Sequence, residues 1–285
     1  MRFLITGGSG QLGREWSDFL ADAGADFEAL SSSELDITSQ KKVEKKLASV
    51  KPDVLINCAA YTNVDQSEDE PEKAFLVNAK AVELLADECA SREIKLLHYS
   101  TDYIFSGSEA DHQMLEHGYP ETHPTNPVNI YGASKLAGEK AVQNSGCDYL
   151  LIRVSWLCGQ YGNNFVKTML RLAEERDELK VVNDQFGSPT FAYNVVENSF
   201  QLLKDKKSGI FNLSSLGKIT WYDFAKEIFH QKKKKMMVHP VSSSQFPTKA
   251  TRPSFSLLST KKIANIPGAS IIEWKTGLTE LLKQI

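Results

Sequence analysis

Long apolar runs, paired cysteines, an excess of basic charge and internal repeats are all missing from this 285-residue sequence. No stretch approaches the ~18 consecutive apolar residues of a membrane-spanning helix. Met1-Arg2-Phe3-Leu4-Ile5 gives way at once to Thr6 and glycines, too short a run for the core of a signal peptide. Cys58, Cys89, Cys147 and Cys158 form no Cys-x-x-Cys unit and match no zinc spacing, so they read as reduced, mostly buried thiols. Together these features predict a cytoplasmic protein. With 33 Lys+Arg against 36 Asp+Glu the net charge is −3, which leaves no basic excess to attract nucleic acid. The run Lys232 to Lys235 reads as a solvated helix end, with anion steering as the alternative. The chain is long enough for one large domain or two unequal ones with a sizeable core.

Along the first half, apolar strand runs alternate with helical spacing. Phe3 to Ile5, Phe27 to Leu30, Asp53 to Asn57, Lys95 to Ser100 and Tyr149 to Arg153 read as strands. Gln11 to Ala23, with Leu12, Trp16, Phe19 and Leu20 on one face, reads as a helix, as do the segment through Val43 and Leu47, Pro71 to Ser91, and the segment from Tyr131 to about Asn144. This rhythm predicts an α/β fold, a Rossmann-type doubly wound parallel sheet. After about residue 155 the rhythm loosens, with helices expected over Asn164 to Arg176, Phe191 to Leu203 and Thr220 to Phe229. His239 to Pro253 carries three of the ten prolines and reads mostly as loop. The division expected is a dinucleotide-binding domain over residues 1–155 and a smaller, mainly C-terminal substrate-binding region over 156–285, some of whose segments return to the first.

Ligands in such sheets bind beyond the carboxyl ends of the strands. Gly7-x-x-Gly10-x-x-Gly13 lies there, between the first strand and the first helix, together with Asp36, Ala59-Ala60 and Thr101. The glycines permit a tight turn and close backbone approach to a pyrophosphate, whose charge then faces a helix N-terminus. After the second strand stand Leu30-Ser31-Ser32-Ser33. Ser31 and its neighbours offer hydroxyls to a 2′-phosphate and no acid to repel it, which favours NADPH with NADH tolerated. Asp36, further on, is placed to address the adenine edge.

Tyr131 and Lys135 stand four apart in Tyr-Gly-Ala-Ser-Lys, on one face of the expected helix. An ammonium beside a phenol favours the phenolate and so lowers the tyrosine pKa. Such a tyrosine exchanges a proton with a carbonyl or alcohol oxygen near neutral pH. Lys135 is also placed to bind the nicotinamide ribose, and Thr101 to hydrogen-bond the carbonyl oxygen. A bare Tyr-x-x-x-Lys on a surface helix is the bland alternative, but here the pair follows the fourth strand of a nucleotide fold.

These residues resemble the extended short-chain dehydrogenase/reductase superfamily. His98-Tyr99-Ser100-Thr101-Asp102-Tyr103-Ile104-Phe105, Tyr131-Gly132-x-x-Lys135-Leu136-Ala137-Gly138-Glu139 and Arg153-x-Ser155-Trp156 narrow the resemblance to the dTDP-4-dehydrorhamnose reductase family. So do Gly162 to Met169, Asn183-Asp184-Gln185-Phe186-Gly187-x-Pro189-Thr190, Ala60-x-Thr62-x-Val64-Asp65 and Arg252-Pro253. The resemblance implies NAD(P)H-dependent reduction of a dTDP-4-keto sugar to dTDP-L-rhamnose. By position it implies that Gly10, Gln11 and Leu12 line the pyrophosphate and that Asp36 and Ile37 meet the adenosine. Ala60, Tyr61, Thr62 and Tyr99 would lie along the cofactor. Thr101 and Asp102 would touch the sugar, with Tyr131 catalytic and Lys135 assisting it.

Trp156 would pack on the sugar by the same resemblance. An aromatic face suits the apolar face of a sugar ring, although a core tryptophan remains open. Asn164, Lys167 and Arg252 are candidates for the thymidine diphosphate, with a solvated Lys167 equally open. Some family members form homodimers bridged by magnesium. Glu15 matches one such position and the region near Tyr193 offers no second acid, so Mg2+ is not expected and the chain reads as monomer or homodimer. Two rival readings remain: a related nucleotide-sugar epimerase or dehydratase with bound NAD, kept open by Asp102, and a non-catalytic regulatory subunit on the same fold.

Overall fold

The computed structural model describes residues 1–285. Six parallel strands form the central sheet: β1 (Arg2–Thr6), β2 (Asp26–Leu30), β3 (Val54–Asn57), β4 (Lys95–Thr101), β5 (Tyr149–Val154) and β6 (Gly209–Leu213). Their order across the sheet is β6-β5-β4-β3-β1-β2. Connections run outward in opposite directions from β1 and β3, so a crevice opens there at the strands' carboxyl ends, where doubly wound sheets bind ligands.

The inner strands are nearly continuous apolar runs because helices cover both faces. On one face, α1 (Gln11–Asp22) and the helix Ala192–Lys204 pack Trp16, Leu20, Val195 and Leu202 against Phe3, Ile5, Ile56, Leu97 and Ile152. On the other, the helices Gln40–Val50, Ala81–Ser91 and Ile130–Asn144 pack Val43, Leu47, Leu85 and Val142 against Leu4, Leu55 and Leu96. A third core, built on Cys158, Val166, Phe191, Phe224, Trp274 and Leu278, lies wholly in the later part of the chain. No helix is long and apolar enough to cross a membrane.

The helix expected over Pro71 to Ser91 is present but not uniform. It runs as α-helix over Pro71–Phe75, takes a π turn at Leu76–Lys80 and resumes at Ala81–Ser91. The π turn carries the buried Asn78, whose Oδ1 accepts from the Tyr61 backbone N–H at 2.8 Å while its Nδ2 donates to the Tyr61 carbonyl and to Ser134 Oγ, both at 3.0 Å. One amide thus fastens the loop after β3 to the Tyr131 helix. Replacing Asn78 with Ala should cost about 1–3 kcal/mol, the price of leaving buried backbone groups unpaired, measured by urea unfolding.

Two later segments depart from the sequence expectation. Gly209–Leu213 joins the edge of the main sheet. Met237–Val241 pairs in parallel with Glu178–Val182, so part of the stretch read as loop is strand. In the lysine run, Lys232 Nζ donates to the carbonyls of Leu282 and Ile285 and Lys234 pairs with Glu174, which gives two of the four lysines structural partners.

Candidate active site

The turn between β1 and α1 is built for close approach. Gly7 has φ +68, and a side chain there would meet the Ala59 backbone N at 2.6 Å. A side chain on Gly13 would run into the Gly7 carbonyl oxygen and lie 2.7 Å from Gly8 Cα. Gly10 differs: a Cβ there would meet only the Gly7 oxygen, at 3.2 Å, a tight contact that a shift of a few tenths of an ångström relieves, so protein packing demands a glycine less strongly there. No side chain caps α1, whose first-turn N–H groups at Gln11, Leu12 and Gly13 face out of the helix end. An open, uncapped N-terminus with glycine where a ligand would press fits a dinucleotide pyrophosphate.

Other expected cofactor positions surround the crevice. Asn57, at the end of β3, accepts from Thr6 Oγ1 at 2.7 Å and from the Ala59 N–H at 3.1 Å, fixing the path of Ala59 and Ala60. The Tyr61 hydroxyl donates to Glu70 at 3.0 Å, so this side chain turns onto its own loop, and Thr62 beside it is exposed. Ile37 is buried in the core, while Asp36 accepts from Thr38 N and Oγ1 at 3.0 and 2.7 Å, bonds that hold its carboxyl below the usual range.

The Ser31 turn is a correction to the sequence reading. The Glu34 carboxylate folds back to accept from Ser31 N at 2.8 Å and Ser31 Oγ at 2.6 Å, so an acid does stand at the end of β2, directly after the three serines. These bonds hold Glu34 ionised. Replacing Glu34 with Gln should raise the NADPH-over-NADH preference a few-fold in paired affinity titrations, since an exposed charge acts weakly across water.

Tyr99 also differs from expectation. Its phenol lies in the core on the α1 face, accepting from Trp16 Nε1 at 2.8 Å and donating to Ser199 at 2.9 Å. What it offers the crevice is its carbonyl oxygen, which accepts from Lys135 Nζ at 2.6 Å. Strand alternation decides this: Tyr99 points to one face of the sheet while His98 and Ser100 point to the other.

The Tyr131 helix begins where it does because Asn129 caps it, accepting from Gly132 N at 2.7 Å, and because Glu68 accepts from Ile130 N at 2.9 Å. Tyr131 stands beside Thr101, and its ring meets Tyr103 edge-on at 5.8 Å. Thr101 Oγ1 donates to Asp102 Oδ1 at 3.0 Å. Burial pushes Asp102 up to about 7, against the hydrogen bond from Thr101, and its Oδ2 has no partner. A buried carboxyl with one vacant oxygen beside a tyrosine and a threonine is a place for a polar group of a ligand.

Lys135 does not lower the Tyr131 pKa here as the four-residue spacing predicts. Burial raises Tyr131, with only the Thr101 hydroxyl opposing it, while the Lys135 ammonium donates to the Tyr99 carbonyl. Burial pulls Lys135 itself down to about 8, against the opposing charge of Glu139.

Of the substrate candidates, Arg252 comes to this cluster. Arg252 Nη1 donates to the Tyr103 hydroxyl at 3.2 Å and Nη2 pairs with Asp65 at 2.8 Å. Trp156 stacks on Trp221 with centroids 3.6 Å and planes 13° apart, and its backbone takes φ +45, a strained value for a bulky residue. Asn164 is committed elsewhere. Its amide donates to Gln11 Oε1 and the Gly159 carbonyl and its oxygen caps the helix Phe165–Glu175 by accepting from Lys167 N, so both its donors are used within the protein. Lys167 Nζ donates to the Gln160 carbonyl at 2.5 Å.

Sequence reasoning missed Asn78, Trp221, Ser256 and the fully buried ion pair of Glu139 with Arg153, whose partners are far apart in the chain. It also missed Glu197. This residue follows Tyr193 by one helical turn and lines, with Glu15 and Asp18 of α1, a crevice of about 400 Å³. The region near Tyr193 thus does offer an acid. Burial first, then Asp18, pushes Glu15 up to about 7. Within one chain, no group of three or more His, Cys, Asp or Glu is placed to hold a metal ion.

The profile of the RmlD substrate binding domain family matches residues 1–285. The dTDP-4-dehydrorhamnose reductase of Aggregatibacter actinomycetemcomitans is 38% identical, over 98% of this chain and 98% of its own. That of Escherichia coli K12 is 37% identical, over 100% of this chain and 98% of its own. A crystal structure of dTDP-4-dehydrorhamnose reductase from Bacillus anthracis in complex with NADP superposes with a TM-score of 0.95 at 37% identity, covering 100% of this chain and 99% of that one.

Proposed function

The chain belongs to the RmlD substrate binding domain family, and on that basis we propose that it is an oxidoreductase reducing the C4 keto group of dTDP-4-dehydro-β-L-rhamnose to give dTDP-L-rhamnose. NADPH is the preferred donor and NADH is tolerated. Residues 1–155 bind the dinucleotide together with the returning segments Ala192–Lys204 and Gly209–Leu213, and the rest of 156–285 binds the sugar nucleotide. When bound, the reduced nicotinamide supplies the hydride.

Tyr131 donates its proton to the carbonyl oxygen as negative charge gathers there, and the Thr101 hydroxyl shares that oxygen. Lys135 holds a positive charge beneath both and binds the ribose. Gly7, Gly10, Gln11, Leu12 and Gly13 receive the pyrophosphate. Asp102 and Trp156 meet the sugar, and Arg252 exchanges Asp65 for the diphosphate. The observation that carries this reading is the gathering of Thr101, Tyr131 and Lys135 at the end of β4, beside a glycine turn whose helix is left uncapped.

Following NADPH absorbance with the keto sugar nucleotide tests it. Stoichiometric oxidation with formation of dTDP-L-rhamnose supports the reductase. Unchanged absorbance with an isomerised or dehydrated sugar supports an epimerase or dehydratase. Cofactor binding without any turnover supports a regulatory subunit.

A further inference from the structure

Glu139 and Arg153 form an ion pair that solvent does not reach: Glu139 is 0% exposed and Arg153 3%. Arg153 Nε donates to Glu139 Oε1 at 3.0 Å and to Oε2 at 3.3 Å, Nη2 donates to Oε2 at 2.7 Å, and Nη1 donates to the Glu121 carbonyl at 3.0 Å. Burying two charges is a poor way to gain stability, because the desolvation cost rivals the attraction. The location suggests another use. Glu139 stands one helical turn after Lys135 on the same buried face, and Lys135 is itself only 3% exposed.

An unclamped glutamate four residues from a lysine would reach back and pair with it directly. That contact would withdraw the ammonium from the crevice. Here the three Arg153 contacts hold the carboxylate on β5, and Lys135 Nζ is left to donate to the Tyr99 carbonyl at 2.6 Å, with hydrogens to spare. The remaining groups around Lys135 offer no substitute. On β4, His98 is buried and held neutral by burial first and by the Lys135 charge second. Tyr131 on the same helix is a neutral phenol, and Asp102, past the end of β4, engages Thr101. Glu139 is the one carboxylate whose charge favours the Lys135 ammonium.

We propose that Glu139, clamped by Arg153, is the fixed counter-charge of the Lys135 ammonium, and that both are positioning residues for it. The proposal rests on Lys135 acting as assigned above, but its physical content is testable without substrate. The lysine titration is read from the 13Cε resonance of Lys135, assigned with a Lys135→Arg variant, and compared with the alkaline limb of kcat/KM.

Removing the charge in Glu139→Gln should move the Lys135 titration, and the alkaline limb with it, to lower pH by about one unit, the low end of the effect of a nearby opposite charge. Releasing the clamp in Arg153→Met should do the reverse. The freed carboxylate pairs with Lys135, the titration moves to higher pH, and kcat falls because the ammonium is drawn out of the crevice. Glu139→Asp, which keeps the charge, should restore most of the Glu139→Gln shift. Opposite shifts in the two variants support the proposal. A lower Tm with the Lys135 titration unmoved in Glu139→Gln, or shifts of the same sign in both variants, overturns it and leaves the pair as a structural brace. Should the keto sugar not be reduced at all, the resonance still decides the electrostatic claim, so the two failures are distinct.

Discussion

A Tyr131→Phe enzyme should lose kcat by about 10²- to 10⁴-fold, the usual contribution of a positioned general acid, while binding NADPH within about twofold of the parent. The phenyl ring keeps the edge-on packing against Tyr103, so the loss isolates the hydroxyl. Burial raises the Tyr131 pKa and Lys135 is turned to the Tyr99 carbonyl, so the phenol is held neutral, as a proton donor requires. Thr101 donates its proton to Asp102 and must turn from that bond to reach the carbonyl oxygen. Loss of Thr101 should therefore be milder than loss of Tyr131. Rapid-quench kinetics with the keto sugar nucleotide and a fluorescence titration with NADPH measure the two halves. Turnover retained within tenfold of the parent would remove Tyr131 as the acid.

The glycine turn should answer in two different ways to two substitutions. Gly10→Val should disturb the fold less than a change at Gly13, because its Cβ meets only the Gly7 oxygen, at a tight 3.2 Å, and the backbone, at φ −76 and ψ 176, suits any residue. It should weaken NADPH binding about 10- to 100-fold, the steric cost of 1–3 kcal/mol for added atoms at a tight contact. Gly13→Ala places its methyl on the Gly7 carbonyl and Gly8 Cα. That change should lower the Tm by several degrees as well, because the turn itself must move. Differential scanning calorimetry and isothermal titration separate the two. Equal NADPH affinity in Gly10→Val and the parent would show that no pyrophosphate presses on that residue.

The strands of the nucleotide-binding half were readable because each is a short apolar run ending in a turn signal, and the helices because Leu12, Trp16 and Leu20 or Val43 and Leu47 recur at helical spacing. β6 was missed because Gly209-Ile-Phe-Asn-Leu is an edge strand entering from a distant part of the chain, and local pattern does not announce which sheet a strand will join. The π turn was unreadable for a similar reason. It exists to deliver Asn78 to partners on two other elements, a demand set by packing. At the site, motif spacing singled out Tyr131, Lys135 and Thr101, which the fold gathers at the end of β4. The same spacing misjudged Tyr99, whose side chain follows strand alternation into the core, and Asn164, whose amide is consumed in capping a helix and holding Gln11.

Taken alone, the order of residues settled the class of sheet, the place of the glycine turn and the pairing of a phenol with an amine one helical turn away, since each depends on periodicity and on neighbours within a few positions. Folding in three dimensions decided where the charges act. Arg153 meets Glu139 from another element, Glu34 closes on Ser31, and the Tyr99 carbonyl takes the Lys135 ammonium. Electrostatic strength depends on distance and burial, and neither quantity is written in the linear chain.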